Sequence, residues 1–309
     1  MKKKAYFLLI LMIPAFILSG CAPVVKDEDI EENYSVYASF LPAYMLSELI
    51  IGDEIPGLNL HLLIQPQDGC MRSYALSDWD QYVLLNADAV ILIGNGLETF
   101  ESALMNMGQN GPSVISASSS LVLDSSGAAE NDESHLNGAN PWLFLSVEGG
   151  LHLTEAIAAN MIALDPDYEE RYIENLKRAY ERFEGLKSEI DEIAQNIDSH
   201  RRVALAHEGL IYTAKDLGLN VVLRIDRESG EYPDDASLSD MLKQLEASNT
   251  EVVLIESQAP NALTKALRAA GYEVVLMDTL SSGTPQNGAE GYFKRVMENA
   301  RLVQRALPK

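Results

Sequence analysis

The chain is short of two things, cysteine and positive charge. Two cysteines, Cys21 and Cys70, stand among 309 residues. Cys21 is taken by the lipid anchor described below, so no intramolecular disulfide is available and stability has to come from packing. Lysine and arginine number 23 against 46 acidic residues, for a formal charge of −23. That balance excludes nucleic acid and anionic lipid as partner surfaces, because both are polyanions. Long apolar runs are also missing. The longest, "AYFLLILMIPAFIL", falls short of the roughly 20 residues of a spanning helix and is interrupted by Pro14.

That run has a function of its own. Lys2, Lys3 and Lys4 precede it and "LSGC" follows it, ending at Cys21. A basic start, an apolar middle and a small-residue site is the order of a secretory signal. "LSGC" resembles the bacterial lipobox, in which the cysteine takes a lipid thioether before cleavage. Each buried acyl CH₂ contributes roughly 0.8 kcal/mol, so several chains on one residue hold a protein on a membrane. Loss of the three signal lysines takes the mature charge from −23 to −26. "APVVKDEDIEEN" has no apolar period and reads as a flexible tether. The expected divisions are residues 1–20 as signal, 21–33 as tether, 34–164 as a first lobe, 165–199 as a linking helix and 200–309 as a second lobe.

Beyond the tether, apolar runs alternate with helical patterns. "SVYASF", "LNLHLLI", "AVILIG" and "PSVISAS" read as strands, separated by "LPAYMLSELI", "ALSDWDQYVLLNA" and "GLETFESALMNM" as helices. "RRVALAH", "NVVLRI", "EVVLIES" and "EVVLMDT" repeat that logic in the second half. Strands alternating with helices make parallel βα units. Between the halves, apolar residues from Tyr172 to Ile197 keep a 3.6 period. The helical signal as a whole covers about 30 residues, which makes a helix about 45 Å long at about 1.5 Å per residue. The fold class is therefore α/β: two βα lobes with mainly parallel sheets, joined by one long rigid helix, with a ligand cleft between them. Ligands in such sheets sit at the carboxyl ends of strands, where His207 and Asp278 fall. His61 and His152 lie within apolar patterns and read as packing residues. His200 stands where it would cap the negative end of the long helix.

With these elements in place, the chain resembles the zinc/manganese-type substrate-binding lipoproteins of metal ABC importers. "VYASFLPAYMLSELIIGD", "NADAVILIGNGLE", "AIAANMIALDPDY", "AHEGLIYTAKDLGL", "VVLIESQ" and "VVLMDTL" carry the resemblance, in that family's order. It implies an extracytoplasmic protein, lipid-anchored at the bacterial cell membrane through Cys21. Its partners would be a permease and its ATPase, it would act as a monomer, and its cargo would be zinc or manganese. It implies no enzyme and no catalytic cofactor. Members hold the metal with a His from each of two first-lobe motifs, a second-lobe His or Glu, and a second-lobe Asp or Glu. His207 in "AHEGLIY" and Asp278 in "VVLMDTL" match the last two positions.

The first two positions depart from the pattern. "MRSY" puts Arg72 at the first histidine counting back from Tyr74, whereas counting forward from Pro66 puts Met71 there. "NPWLFL" puts Trp142 at the second. A guanidinium has no lone pair for a metal and stays charged. Across about 5 Å at an effective dielectric of about 20, each unit-charge pair is worth about 3 kcal/mol. Arg72 would thus repel a divalent cation and pair with Asp278. Three readings follow. A metal site is rebuilt from the soft donors Cys70 and Met71 with His207, His135 swinging in from the polar insertion, unless Cys70 is simply a small packed residue. Alternatively, Arg72 and Trp142 hold a metal complex or an anionic or zwitterionic small molecule. In the third, the chain is a surface adhesion or scaffold protein without solute. Cys70, His207, Glu208 and Asp278 come with no nucleophile or oxyanion motif, so catalysis is not expected. The leader generates its own test. Cys21→Ser should move the protein from the membrane fraction to the soluble one, or leave it unprocessed, on fractionation and immunoblotting; a normal-sized variant fully retained on the membrane contradicts the lipobox.

Overall fold

The computed structural model describes residues 34–52, 55–65, 74–108, 111–119, 140–225, 233–283 and 287–309. They all fall in one unit, Asn33–Lys309. Cys21, Cys70, Met71, Arg72 and His135, with the signal and tether, lie outside the described residues.

Eight apolar runs form two parallel sheets. β1 (Tyr34–Ala38), β2 (Leu58–Leu62), β3 (Ala89–Leu92) and β4 (Ser113–Ser116) pair in the order β2-β1-β3-β4. β5 (Arg202–Leu205), β6 (Asn220–Arg224), β7 (Val252–Glu256) and β8 (Glu273–Met277) repeat it as β6-β5-β7-β8. Every residue of β3 and of β7 is buried. Unbroken apolar strands of this kind need cover on both faces, which parallel sheets obtain from their crossover helices.

Crossover handedness then distributes the helices. α1 (Leu41–Glu48) carries the chain from β1 outward to β2, while α2 (Asp78–Leu85) brings it back past β1 to β3. Right-handed connections in opposite directions lie on opposite faces of a sheet. α3 (Glu101–Met105) continues in the direction of α2 and so shares its face. Each sheet changes direction beside its first strand, which opens a crevice at the carboxyl ends of β1 and β3 and again of β5 and β7.

The α1 face is where the lobes join. α4 (Val147–Leu164), α5 (Glu169–Gln195) and α9 (Gly288–Ala306) pack there with α1. One apolar cluster runs from Val36, Leu46 and Ile91 of the first lobe through Phe183 and Tyr292 to Val203, Leu254 and Met277 of the second. α7 (Asp235–Ala247) and α8 (Asn261–Ala269) cover the far face of the second sheet with a smaller cluster. α5 has 27 residues in one α-helix, preceded by a 3₁₀ turn at Pro166–Tyr168. It ends before His200, whose backbone N–H donates to Asp198 Oδ1 at 3.0 Å. The cap of α5 is Asn196, whose amide reaches back to the Glu192 carbonyl at 2.9 Å. The expected role of His200 as a helix cap is thereby corrected: the helix stops several residues short of it. His61 is also no core residue. It is exposed and stacks on Tyr37 at 4.8 Å.

Polar groups within the shared core tie distant segments. The buried Tyr292 hydroxyl is shared between the Phe144 carbonyl at 3.0 Å and the Ser146 carbonyl at 3.2 Å. Asp216, at the end of α6 (Leu210–Asp216), accepts the Val147 N–H at 2.8 Å, capping the first turn of α4 from the second lobe. Burial raises its carboxyl to about 6 despite that bond. Asn175 of α5 donates to the Ile50 carbonyl at 2.7 Å, and Glu48 of α1 accepts the Ala289 N–H at the start of α9.

Two glycines separate packing from propensity. A methyl at Gly150 would sit 2.0 Å from the Tyr292 hydroxyl oxygen, whereas one at Gly185 meets nothing within 4 Å. Gly150→Ala should therefore lower stability by about 1–3 kcal/mol. Gly185→Ala, within α5, should raise it by about 0.5–1 kcal/mol. Urea unfolding of both variants checks the contrast, and equal effects would contradict the role given to Tyr292.

Candidate functional site

The crevice floor in the first lobe is built around one carboxyl. Glu98, 1% exposed, accepts the Ser39 hydroxyl at 2.7 Å on Oε1. The Ile93 N–H reaches the same oxygen at 2.9 Å, and the Gly94 N–H reaches Oε2 at 2.9 Å. One side chain thus ties the loop after β1 to the loop after β3. Burial is the largest influence on it and raises its pKa to about 7, against three hydrogen bonds that favour the ionised form.

The second lobe contributes the loops after β5, β7 and β8. His207 follows β5 and is buried. The Gly209 N–H donates to its Nδ1 at 3.1 Å. With Nδ1 accepting, the neutral imidazole carries its proton on Nε2. Leu205 pairs with Leu254, and two further residues along each strand bring His207 level with the buried Glu256. Glu256 in turn pairs with Met277, immediately before Asp278. His207, Glu256 and Asp278 therefore follow one another along the carboxyl edge of β5, β7 and β8.

Trp142 closes this edge from the first-lobe side. It is 3% exposed, and its ring meets His207 edge-on at 4.6 Å and Phe144 at 5.6 Å. Its indole N–H donates to Glu208 Oε1 at 2.6 Å. Asn140 braces the contact from below. Its amide donates to the Glu208 carbonyl at 2.9 Å and its Oδ1 accepts the Trp142 N–H at 3.1 Å. The Tyr212 hydroxyl donates to the Asn140 carbonyl at 2.6 Å. Gly209 permits the approach, because a Cβ there would lie 2.6 Å from the Trp142 Cβ. Trp142 is thus a wall anchored across the lobes. The residue read from the sequence as holding a small molecule together with Arg72 is thus buried, with its N–H bonded to Glu208.

Asp278 has an arginine partner, from its own lobe. Arg295 Nε donates to Oδ2 at 2.6 Å and Nη2 to Oδ1 at 2.7 Å. The Leu280 N–H adds a bond to Oδ1 at 2.8 Å. Asn299, one turn further along α9, accepts the Asp278 N–H at 2.8 Å and donates to its carbonyl at 2.7 Å. α9 provides this bidentate bridge by packing along β8; Arg72, the partner expected from the sequence, lies outside the described residues. Among the described residues, no three His, Cys, Asp or Glu side chains converge as a metal would need.

Sequence reasoning placed His207 and Asp278 on the crevice edge and missed Glu98, Glu256 and Arg295. An acidic residue ending an otherwise apolar strand, as in "VVLIES", was the available signal for Glu256. Arg295 offered none, since its role depends on how α9 docks.

Comparisons with known proteins agree with this architecture. The family model described as ZnuA, "Zinc-uptake complex component A periplasmic", matches residues 36–306. The chain is 23% identical over 317 residues to the manganese ABC transporter substrate-binding lipoprotein PsaA of Streptococcus anginosus, covering 99% of this chain and 100% of that one. It is 24% identical over 328 residues to the iron ABC transporter substrate-binding lipoprotein MtsA of Streptococcus pyogenes, covering 100% of both. Among solved structures it is similar to FpvC of Pseudomonas aeruginosa in complex with Ni²⁺, with a TM-score of 0.75, 21% identity, and 90% and 99% of the two chains covered. The Zn(II)-bound ZnuA-like domain of Streptococcus pneumoniae AdcA gives a TM-score of 0.73 at 20% identity, with 90% and 100% covered.

Glu98 yields a pH test. A carboxyl raised from 4.5 to about 7 binds more protons folded than unfolded. Its contribution to stability is full below pH 4.5 and is lost as pH rises to about 7, a change of about 3 kcal/mol. The stability of the wild type relative to Glu98→Gln should fall across that window in urea titrations. A difference that does not change with pH contradicts the assignment.

Proposed function

We propose, because this chain belongs to the family of zinc-uptake complex component A periplasmic proteins, that it delivers a metal ion of the zinc or manganese class to an ABC importer. It is a substrate-binding protein of such importers, extracytoplasmic and lipid-anchored at the cell membrane, and it is not an enzyme. The anchor is Cys21 and the partners are a permease and its ATPase. The observation that carries the reading is the alignment of His207 and Asp278 along the carboxyl edge of one sheet, at the crevice where a doubly wound sheet takes its ligand.

The site is an altered one. Trp142 takes a family ligand position with an indole, which has no lone pair for a metal. Arg295 already balances the charge of Asp278. A metal reaching His207 through Nε2 requires the ring proton to move to Nδ1 at the cost of the Gly209 bond, and one reaching Asp278 must compete with a guanidinium. Both costs lower affinity relative to a preformed four-ligand site. The cargo is held weakly by His207 and Asp278, with Arg72 at the remaining family position.

Calorimetry with zinc on apo-protein tests this. The wild type should bind weakly. Arg72→His combined with Trp142→His should raise affinity by orders of magnitude, and His207→Ala should remove the gain. Tight stoichiometric zinc in the wild type, abolished by His207→Ala, overturns the altered site and brings Cys70, Met71 and His135 forward as ligands. Elemental analysis and native mass measurement of protein purified without chelator identify the metal it carries.

A further inference from the structure

The largest exposed apolar side chains among the described residues gather on one face of the first lobe. Trp79 is 69% exposed, Tyr82 60%, Leu85 52% and Met105 56%. Trp79, Tyr82 and Leu85 recur every third residue along α2 and so form one stripe. Trp79 and Tyr82 stack on each other at 5.6 Å. Met105 on α3 is exposed as well, and a groove of about 450 Å³ between α2 and α3 is lined by Tyr74, Leu76, Gln81, Phe100 and Met107. The patch lies on the sheet face opposite α1, away from the shared core. α2 starts at the carboxyl edge of the sheet, which puts Trp79 on the crevice side.

Charge decides what can cover it. Residues 34–164 contain fifteen Asp and Glu, a single arginine (Arg72) and no lysine. Asp78, Asp88 and Glu101 stand beside the stripe on α2, after it and on α3. Anionic lipid would meet this face with repulsion. A second copy docked by twofold symmetry would oppose the same carboxylates to themselves. The complementary occupant is a protein surface with an apolar recess and a rim of Lys and Arg. Such cations can also sit over the faces of Trp79 and Tyr82. Tryptophan and tyrosine are the residues that dominate binding energy at interfaces.

We infer that the α2–α3 face docks on the extracytoplasmic surface of the importer's membrane-spanning subunit, at a basic-rimmed apolar recess. The choice of partner rests on the function proposed above. A docking contact beginning at Trp79 adjoins the crevice edge, so the subunit is held next to the site that releases cargo.

The experiment uses the full-length lipidated chain in its own cells, with a photo-reactive phenylalanine at position 82 and adducts mapped by mass spectrometry. The expected adduct falls on a Lys- or Arg-bearing extracytoplasmic segment of a multi-spanning ABC importer subunit. In parallel, Trp79→Ser/Tyr82→Ser/Leu85→Ser, at the wild-type surface level and with the wild-type urea midpoint, should slow zinc or manganese accumulation about tenfold. Glu101→Lys should slow it in the same direction. Adducts to lipid or to another copy of the chain, no adduct, or unchanged accumulation in the triple variant each overturn the proposal. Deletion of the chain is the separate arm. If zinc and manganese accumulation do not fall on deletion, the importer reading fails, and the partner assigned to this face fails with it. If they fall on deletion but not in the triple variant, only the docking face is wrong.

Discussion

Tyr292 of α9 buries its ring against Phe183 of α5 and shares its hydroxyl between two carbonyls of the segment that leads into α4. An unpaired phenol at that depth would cost a few kcal/mol, so the bond fixes how the chain turns from Phe144 into α4. Around it Phe183 and Phe293 pack at 5.0 Å, and the Arg182 guanidinium lies 4.1 Å over the Phe293 ring. The surrounding apolar cluster belongs to both lobes. Separating them would expose that cluster to water, at roughly 25 cal/mol for each Å² of apolar surface.

The same segment that Tyr292 holds carries Trp142 into the crevice. Asp216 fixes its far end by capping α4, and Asn140 with Tyr212 fixes its near end. Trp142 is therefore positioned by both lobes, and its indole bond to Glu208 adds one more tie between them. A metal site needs donors that converge with their protons removed. Here the wall residue has no lone pair, and the second-lobe carboxylate is balanced by Arg295. Among the described residues, the crevice edge thus carries His207 beside a buried indole and Asp278 bound to Arg295.

The strands and the long helix were legible because their signals are local. Period-two or unbroken apolar runs mark β1 to β8, and the 3.6 period from Tyr172 onward marks α5. "GLETFESALMNM" overstated its helix, which is confined to Glu101–Met105 after a loop pinned by Glu98. His207 and Asp278 were legible because a strand end is itself a local feature. Arg72 drew the pairing argument because its charge stands alone in its lobe, and it lies outside the described residues. Arg295, 17 residues beyond Asp278, reaches it through a helix packed on the same strand.

By itself, the sequence determined the order of elements, the two parallel sheets and the crevice edge on which the site stands. These depend on periodicity within a segment and on the handedness of crossovers, and both can be read along the chain. Tertiary structure alone decided that Trp142 is a buried wall, that Asp278 is balanced by α9, and that Glu98 ties two loops. Trp142 meets Glu208 across 66 residues and Glu98 meets Ser39 across 59. Contacts of such separation leave no local pattern, because they arise only when packing of the shared core brings the segments together.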